Sequence, residues 1–207
     1  MGSTPPFIME DFVKFFTEIG KLKLMPRRGW VINRIKNPES IAEHSFRVGV
    51  LAMVLADKLG VNKEKLMKMA LLVNLGELAT GDMVTARGEY IDIKKQDEME
   101  KMGGEEIKKI FGKVGNNKQY LSVYREMVNR DTSDAKVFWQ LERLEMALQA
   151  LEYEEEQGKN LEEFFVNTEL YLKEPLLKKI FYEILKSRKI NKKRSFGKLK
   201  DGLGLMN

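Results

Sequence analysis

The chain has 207 residues, of which 43% are apolar and 32% are charged, a composition that fits one folded domain with a sizeable core. It contains no cysteine, which excludes disulfides, cysteine-based zinc sites and a cysteine nucleophile. No apolar run approaches the length of a membrane span, and the N-terminus lacks the pattern of a secretion signal. We therefore expect a cytoplasmic protein that does not enter a membrane.

The net charge of +5 is concentrated at the C-terminus. Residues 186–207 hold eight of the 36 basic residues and one of the 31 acidic residues, so the rest of the chain is close to neutral. A basic arm can contact nucleic acid or an acidic partner. Because this arm lacks the interleaved aromatic residues of single-strand binders, a solvated extension is the favoured interpretation and nucleic acid the less favoured partner.

The first predicted helix covers Glu10 to Lys23, where apolar residues recur at helical spacing. Two prolines and a glycine then interrupt the pattern, and we predict an ordered loop or a short extended piece over residues 24–38. This loop carries Arg27 and Arg28 beside Trp30, a combination that could bind a phosphate and stack on a base or sugar. A surface turn anchored to the core by its tryptophan would give the same pattern.

The second predicted helix carries the only histidine of the chain, His44. Asn37 can cap this helix, Pro38 suits its first position, and Gly60 ends it after Leu59. His44 lies on the apolar seam of the helix and is therefore expected to face inward. An inward histidine is either a hydrogen-bonded core residue or a ligand, and the spacing alone leaves both open.

The next predicted helix begins near residue 62 and carries three short polar residues at its C-terminal end: Asn74, Glu77 and Asp82. An unpaired buried carboxylate is costly, so a cation or an arginine is expected beside the two acids if they are buried. Alternatively, they reach solvent.

Helical patterns continue to residue 186 after a linker over residues 83–93. They cover residues 93–111, with an interruption at Gly103–Gly104, and residues 116–130. A long helix follows from Thr132 or Ser133 to Gly158, with Glu142 and Glu145 beside its apolar seam. Two further helices cover residues 161–172 and 175–186. We find no alternating β pattern, repeat or glycine-rich phosphate loop. We predict an all-α bundle of about seven to nine helices over residues 10–186, a flexible N-terminus over 1–9 and a basic tail over 187–207.

Three segments together resemble the HD-domain superfamily, and within it the 5′-deoxynucleotidase-like branch that includes the HD-domain-containing protein 2 type. They are KLKLMPRRGWVINRIKNPESIAEHSFRVGVLAMVLA, MALLVNLGELATGD and LERLEMALQALEYE. The resemblance implies an HD-domain helical bundle with a divalent metal held by a histidine, a His-Asp pair and a later aspartate. It also implies hydrolysis of deoxyribonucleoside 5′-monophosphates by a protein that is commonly a homodimer.

On the substrate side of the resemblance, the family pattern is present. Glu77 and Asp82 match the acidic residues that assist substrate and water, and we predict them as catalytic residues. Arg27 and Trp30 match the loop that binds the nucleotide.

On the metal side, the family pattern is altered. His44 matches the first metal histidine, Glu142 stands for the late aspartate, and Val73 and Asn74 stand where the His-Asp pair is expected. Val73 has no lone pair and Asn74 offers only a neutral carbonyl, so affinity for a divalent metal should be weak or lost. Mg, Mn or Co held by His44, Glu142 and Asn74 is one expectation, and no bound metal is the other.

Three functions remain open from the sequence. The favoured one is an HD-fold protein that binds a nucleotide and hydrolyses it weakly or not at all. The first alternative is an active phosphohydrolase with a remodelled site that uses His44, Glu77, Asp82 and Glu142. The second is a helical scaffold whose basic tail associates with nucleic acid.

Overall fold

The computed structural model of the chain describes residues 9–115 and 117–189 and confirms the all-α prediction. Its helices are α1 (Met9–Gly20), α2 (Arg28–Ile32), α3 (Ile41–Leu59), α4 (Lys63–Leu72), α5 (Glu77–Thr80), α6 (Ile93–Gly112), α7 (Asn117–Asn129), α8 (Ser133–Gln157), α9 (Glu162–Tyr171) and α10 (Pro175–Ser187). Among the described residues, eight helices have ten residues or more, within the predicted seven to nine, and α2 and α5 are short.

Helix α8 is the centre of the bundle because it packs against α3, α4, α7, α9 and α10. Its apolar residues Leu141, Leu144 and Ala147 are fully buried. A helix that is surrounded in this way also buries some of its polar residues, and α8 does so with Glu142 and Glu145. These two carboxylates therefore need partners on the neighbouring elements.

Helix α3 begins at Ile41, so the prediction that Asn37 caps it was wrong. Ser40 is the N-cap: its hydroxyl accepts a hydrogen bond from the Glu43 N–H, and the Glu43 carboxylate accepts one from the Ser40 N–H. This reciprocal pair is a capping box. Asn37 instead has a φ of 49°, which turns the chain in the left-handed region before the helix. The helix ends at Gly60 as predicted, with a φ of 67°.

Two segments predicted as irregular contain short regular elements. The segment after α1 holds a 3-10 turn (Lys21–Leu24) and α2, so it is neither a continuous loop nor an extended piece. The linker before α6 holds an antiparallel hairpin of β1 (Ala86–Arg87) and β2 (Tyr90–Ile91). Gly88 lies in its turn at a φ of 54°, where a glycine is favoured. Two-residue strands are too short for the alternation that predicts a strand from sequence.

The glycine pair predicted to interrupt α6 lies inside a continuous helix. Gly103 packs closely against Gly76, since a Cβ built on Gly76 would lie 2.4 Å from the Gly103 Cα. A Cβ on Gly103 would lie 2.2 Å from the Tyr124 hydroxyl. These glycines therefore allow the α4–α5 turn, α6 and α7 to approach one another, and that approach forms one side of the cavity described below.

The structure describes little of the two predicted terminal segments, and their boundaries stay predictions. Arg188, which the sequence analysis assigned to the basic tail, is 2% exposed and pairs with Glu154 and Glu162. It therefore belongs to the packed helical body. Within the described ranges, no helix has the length and apolar character needed to cross a membrane.

Candidate functional site

A cavity opens between the start of α2, the α4–α5 turn, the β1–β2 hairpin, α8 and α9. It encloses about 1240 Å³, counted out to its open mouth. Its polar lining includes most of the residues predicted for the site, together with one that was not: Arg27, Asn74, Glu77, Asp82, Glu142 and Arg143. Its lining also includes the less polar side chains of Tyr124, Met127 and Trp139. A cavity lined by charged groups together with aromatic side chains suits a ligand with a charged end and a flat apolar part.

The guanidinium group of Arg27 lies among three carboxylates of this cavity. Its Nη1 is 3.6 Å from Asp82 Oδ1 and 3.9 Å from Glu77 Oε1, and its Nη2 is 3.6 Å from Glu142 Oε1. The start of α2 is fixed because the Arg27 N–H donates to the Glu39 carbonyl at 3.0 Å. The sequence predicted a cation or an arginine beside Glu77 and Asp82 if these acids are buried. Arg27 is that arginine.

Asp82 joins the site through both of its carboxylate oxygens. One faces Arg27, and the other accepts a hydrogen bond from the backbone N–H of Arg28. Asp82 thereby ties the chain after α5 to the first turn of α2.

The two glutamates on either side of Arg27 have opposite pKa shifts. Burial, together with the nearby charge of Asp82, raises the pKa of Glu77 to about 8. Burial would also raise the pKa of Glu142, but Arg143, His44 and Arg27 outweigh it and lower the value to about 2. At neutral pH, Glu77 therefore holds a proton that it can donate, whereas Glu142 is an anion.

His44 is fully buried behind Glu142 and does not itself line the cavity. Its Nδ1 forms a close ion pair with Glu145, and its Nε2 lies 3.5 Å from Glu142 Oε1. Burial alone would lower the pKa of His44, but these carboxylates raise it to about 9. The imidazolium form is thus favoured in this setting.

A second layer of charges holds His44 in place. Arg47, one turn along α3, pairs with Glu145 at 2.9 Å. Glu39 lies 3.9 Å from His44 Nδ1 and accepts a hydrogen bond from the Trp30 indole at 2.8 Å. Burial and the nearby Glu145 raise the pKa of Glu39 to about 7.

Val73 and Asn74 line the cavity at the C-terminal end of α4. The Asn74 amide nitrogen donates a hydrogen bond to the Ser45 hydroxyl at 2.8 Å, and Asn74 is 4% exposed. Val73 brings only methyl groups to this wall. The pair therefore supplies one neutral amide to the site and no charge.

Trp30 lies outside the cavity, although the sequence analysis assigned it to substrate binding. It is 0% exposed and stacks on Phe164, with ring centroids 4.1 Å apart. Its edge contacts Tyr153. In this arrangement Trp30 offers no face to a nucleotide, and it anchors the α2 segment to the core, the alternative interpretation of the same pattern.

The residues present do not fit a divalent-cation site in this arrangement. Val73 has no donor atom, Asn74 offers only its neutral carbonyl because its amide nitrogen donates to Ser45, and Arg27 already supplies positive charge to the three cavity carboxylates. Ligand atoms of Glu39, His44 and Glu145 also lie within 4.8 Å of one another. However, His44 Nδ1 and both Glu145 oxygens are engaged in ion pairs there.

Five residues of this site were not predicted as site members: Glu39, Arg47, Arg143, Glu145 and Met146. Met146 lines the cavity, and its sulfur accepts a hydrogen bond from Arg27 Nη2 at 3.5 Å. Glu145 was placed beside the seam of α8, but not opposite His44. The i, i+3 spacing of His44 and Arg47, and of Glu142 and Glu145, was the available signal, because residues three apart share a helix face. Which face of α8 meets α3 depends on packing between residues about a hundred positions apart.

Comparisons with known proteins agree with this architecture. A family model described as HD domain matches residues 19–184. The chain belongs to the HD domain family. Among relatives of this HD domain protein, the zebrafish (Danio rerio) 5′-deoxynucleotidase HDDC2 is 36% identical over 165 residues, which cover 78% of this chain and 80% of the relative. The human 5′-deoxynucleotidase HDDC2 is 30% identical over 185 residues, or 87% and 88% of the two chains.

Solved structures show the same fold. A conserved hypothetical protein from Pyrococcus furiosus superposes on this HD domain protein with a TM-score of 0.69 at 29% identity. The match covers 84% of this chain and 99% of that one.

Proposed function

We propose that this HD domain protein binds deoxyribonucleoside 5′-monophosphates in the cavity beside α8 and hydrolyses them weakly or not at all. The relatives named as 5′-deoxynucleotidases support a nucleotide ligand, because the match to them extends over most of the chain. The cavity supports the same ligand, because its lining has charged groups for a phosphate and aromatic side chains for a base.

One observation supports the loss of hydrolysis: Val73 and Asn74 bring no charged ligand to the cavity, so the positive charge beside Glu77, Asp82 and Glu142 comes from Arg27, within 4 Å of all three. The Arg27 guanidinium group neutralises these carboxylates, but it cannot coordinate a water molecule as a metal ion does. It therefore cannot replace the Lewis acid that makes bound water a nucleophile at neutral pH. What this chain offers is a phosphate-binding guanidinium and a protonated Glu77.

Calorimetry and a phosphate-release assay on the purified protein test this function together. We expect a deoxyribonucleoside 5′-monophosphate from a panel of the four common bases to bind, with little phosphate released whether Mg²⁺, Mn²⁺ or Co²⁺ is added or not. If no member of the panel binds, the proposed function is wrong.

Rapid phosphate release that depends on one of the three ions would favour the alternative, an active enzyme that uses His44, Glu77, Asp82 and Glu142. The same assay would then assign Glu77 and Asp82 as catalytic, with Glu77→Gln and Asp82→Asn as the variants that lose turnover. The homodimer stays a prediction from the resemblance, and the nucleic-acid interpretation depends largely on residues outside the described ranges.

A further inference from the structure

Most buried polar atoms without a hydrogen-bond partner among the described residues belong to the cavity site or lie directly behind it. Two are arginine donors, the Nε atoms of Arg27 and Arg143. Three others are His44 Nε2, Glu77 Oε2 and Glu142 Oε2. Buried donors without acceptors are rare and costly in folded proteins. The two arginine donors therefore call for a ligand that accepts hydrogen bonds, and the carboxylate oxygens of Glu77 and Glu142 could accept from its hydroxyl groups.

Arg143 is held at the cavity wall by its neighbours. It follows Glu142 on α8, lines the cavity, and has a side chain that is 17% exposed. Its guanidinium carbon lies 4.7 Å from the centre of the Tyr171 ring, a cation–π contact from α9. The group is therefore oriented before any ligand arrives.

The carboxylate of Glu142 lies between two guanidinium groups. Oε1 is 3.6 Å from Arg27 Nη2, and Oε2 is 3.4 Å from Arg143 Nε. Neither contact satisfies the hydrogen bonding of the arginine Nε atoms. Glu142 thus balances part of the positive charge and leaves donors on both arginines for another anion.

We propose that Arg143, together with Arg27, binds the phosphate of a phosphomonoester ligand, with the Glu142 carboxylate lying between the two guanidinium groups. A phosphate offers three terminal oxygens, so it can accept from two guanidinium groups at once. This inference rests on the proposed function for the identity of the ligand and adds the residue that recognises its phosphate.

The test compares a nucleotide with its own nucleoside by calorimetry on the full chain. The ligands are the tightest-binding deoxyribonucleoside 5′-monophosphate of the panel, the matching nucleoside, and inorganic phosphate. The variants are Arg143→Gln and Arg143→Lys, with Arg125→Gln as a control on an exposed face of α7.

We expect Arg143→Gln to weaken binding of the monophosphate at least about tenfold and to leave the nucleoside within about twofold. Arg143→Lys should lose less, because it keeps the charge but not the planar fork. Arg125→Gln should match the unchanged protein for all three ligands. Thermal melting checks that each variant is folded.

Two outcomes would overturn the inference. One is unchanged affinity of Arg143→Gln for the monophosphate, and the other is an equal loss for nucleotide and nucleoside, which a merely structural role would produce. Both leave the proposed function standing. Conversely, binding of inorganic phosphate that depends on Arg143, with no binding of any nucleotide, would support the inference and contradict the proposed function.

Discussion

At the residue scale, His44 has a carboxylate at each ring nitrogen, Glu145 at Nδ1 and Glu142 at Nε2. Its pKa is raised from 6.5 to about 9, because these charges outweigh the effect of burial. The stability that this shift contributes is fully present below pH 6.5 and is lost as the pH rises through about 9.

His44 is the only histidine in the chain, so histidine NMR reports on it without assignment. We expect a titration midpoint near pH 9 in the unchanged protein. Glu145→Gln should lower that midpoint, because it removes the charge at Nδ1. Glu152→Gln is the matched control, since it removes an exposed partner of Arg47 that does not contact His44. A midpoint near the ordinary histidine value in the unchanged protein would contradict this description.

The double substitution Val73→His with Asn74→Asp tests the metal side of the site. It restores the residue types that the family resemblance implies at these positions, and we expect it to raise both the metal content of the purified protein and its release of phosphate. Elemental analysis measures the first and a nucleotide assay the second.

Leu71→His is the control for this double variant, because Leu71 is 64% exposed on the same helix and a histidine there adds a donor far from any other ligand. A folded double variant that takes up no more metal than this control would mean that Arg27 still neutralises Glu77, Asp82 and Glu142 in place of a metal ion. Removing Arg27 as well would then be the next change to make.

Most of the polar residues of the site could be predicted from the sequence, but the directions in which the side chains point could not. The resemblance drew attention to Arg27, Glu77, Asp82 and Glu142, which the structure brings into one cavity. It could not show that Trp30 turns toward Phe164, since that depends on how α9 packs. Likewise, spacing along α8 does not reveal that Arg143 lines the cavity.

At the element scale, the glycine contact between the α4–α5 turn and α6 forms one side of the cavity. We expect Gly103→Ala to destabilise the protein by about 1–3 kcal/mol, because its Cβ would lie 2.2 Å from the Tyr124 hydroxyl. Urea unfolding monitored by circular dichroism measures the loss.

The adjacent Gly104→Ala is the control for Gly103→Ala. Its Cβ would meet Tyr124 only at ordinary contact distance, 3.7 Å. Since alanine also favours a helix, this variant should be neutral or stabilising by up to about 1 kcal/mol. Equal losses in the two variants would mean that the close packing is not the cause.

Element boundaries followed the sequence where a local signal decided them. Gly60 and Gly158 end α3 and α8 at positive φ, as their positions predicted. Gly103 looked like a helix breaker because a glycine inside a helix usually lowers its stability. Here Gly103 allows close contact with Gly76, about 27 positions earlier in the chain, and a local sequence pattern does not reveal such a contact.

At the scale of the whole molecule, Arg188 joins the end of the chain's last described helix to α8 and α9. It pairs with Glu154 and Glu162 and lies over the Phe165 ring at 3.7 Å. Glu154 is itself nearly fully buried, with a side chain 3% exposed. This ion pair therefore contributes to tertiary structure rather than to a solvated tail.

Arg188→Met should lower the free energy of unfolding by about 3–5 kcal/mol, because it leaves the buried Glu154 carboxylate without its counter-charge. Thermal and urea unfolding measure this change. Lys189→Met is the matched control, since Lys189 is 74% exposed and pairs only at the surface with Glu155. A loss below 1 kcal/mol for Arg188→Met would assign Arg188 to the surface after all.

The separation along the chain between His44 and Glu145, 101 positions, has a consequence for synthesis. The ribosome makes α3 well before α8, so the nascent chain carries His44 and Arg47 without their carboxylate partners until residue 145 has emerged. Until then, the face of α3 that packs against α8 in the folded protein has no partner in the nascent chain. The site and the core therefore both depend on α8, which supplies Glu142 and Glu145 to the one and Leu141 and Leu144 to the other.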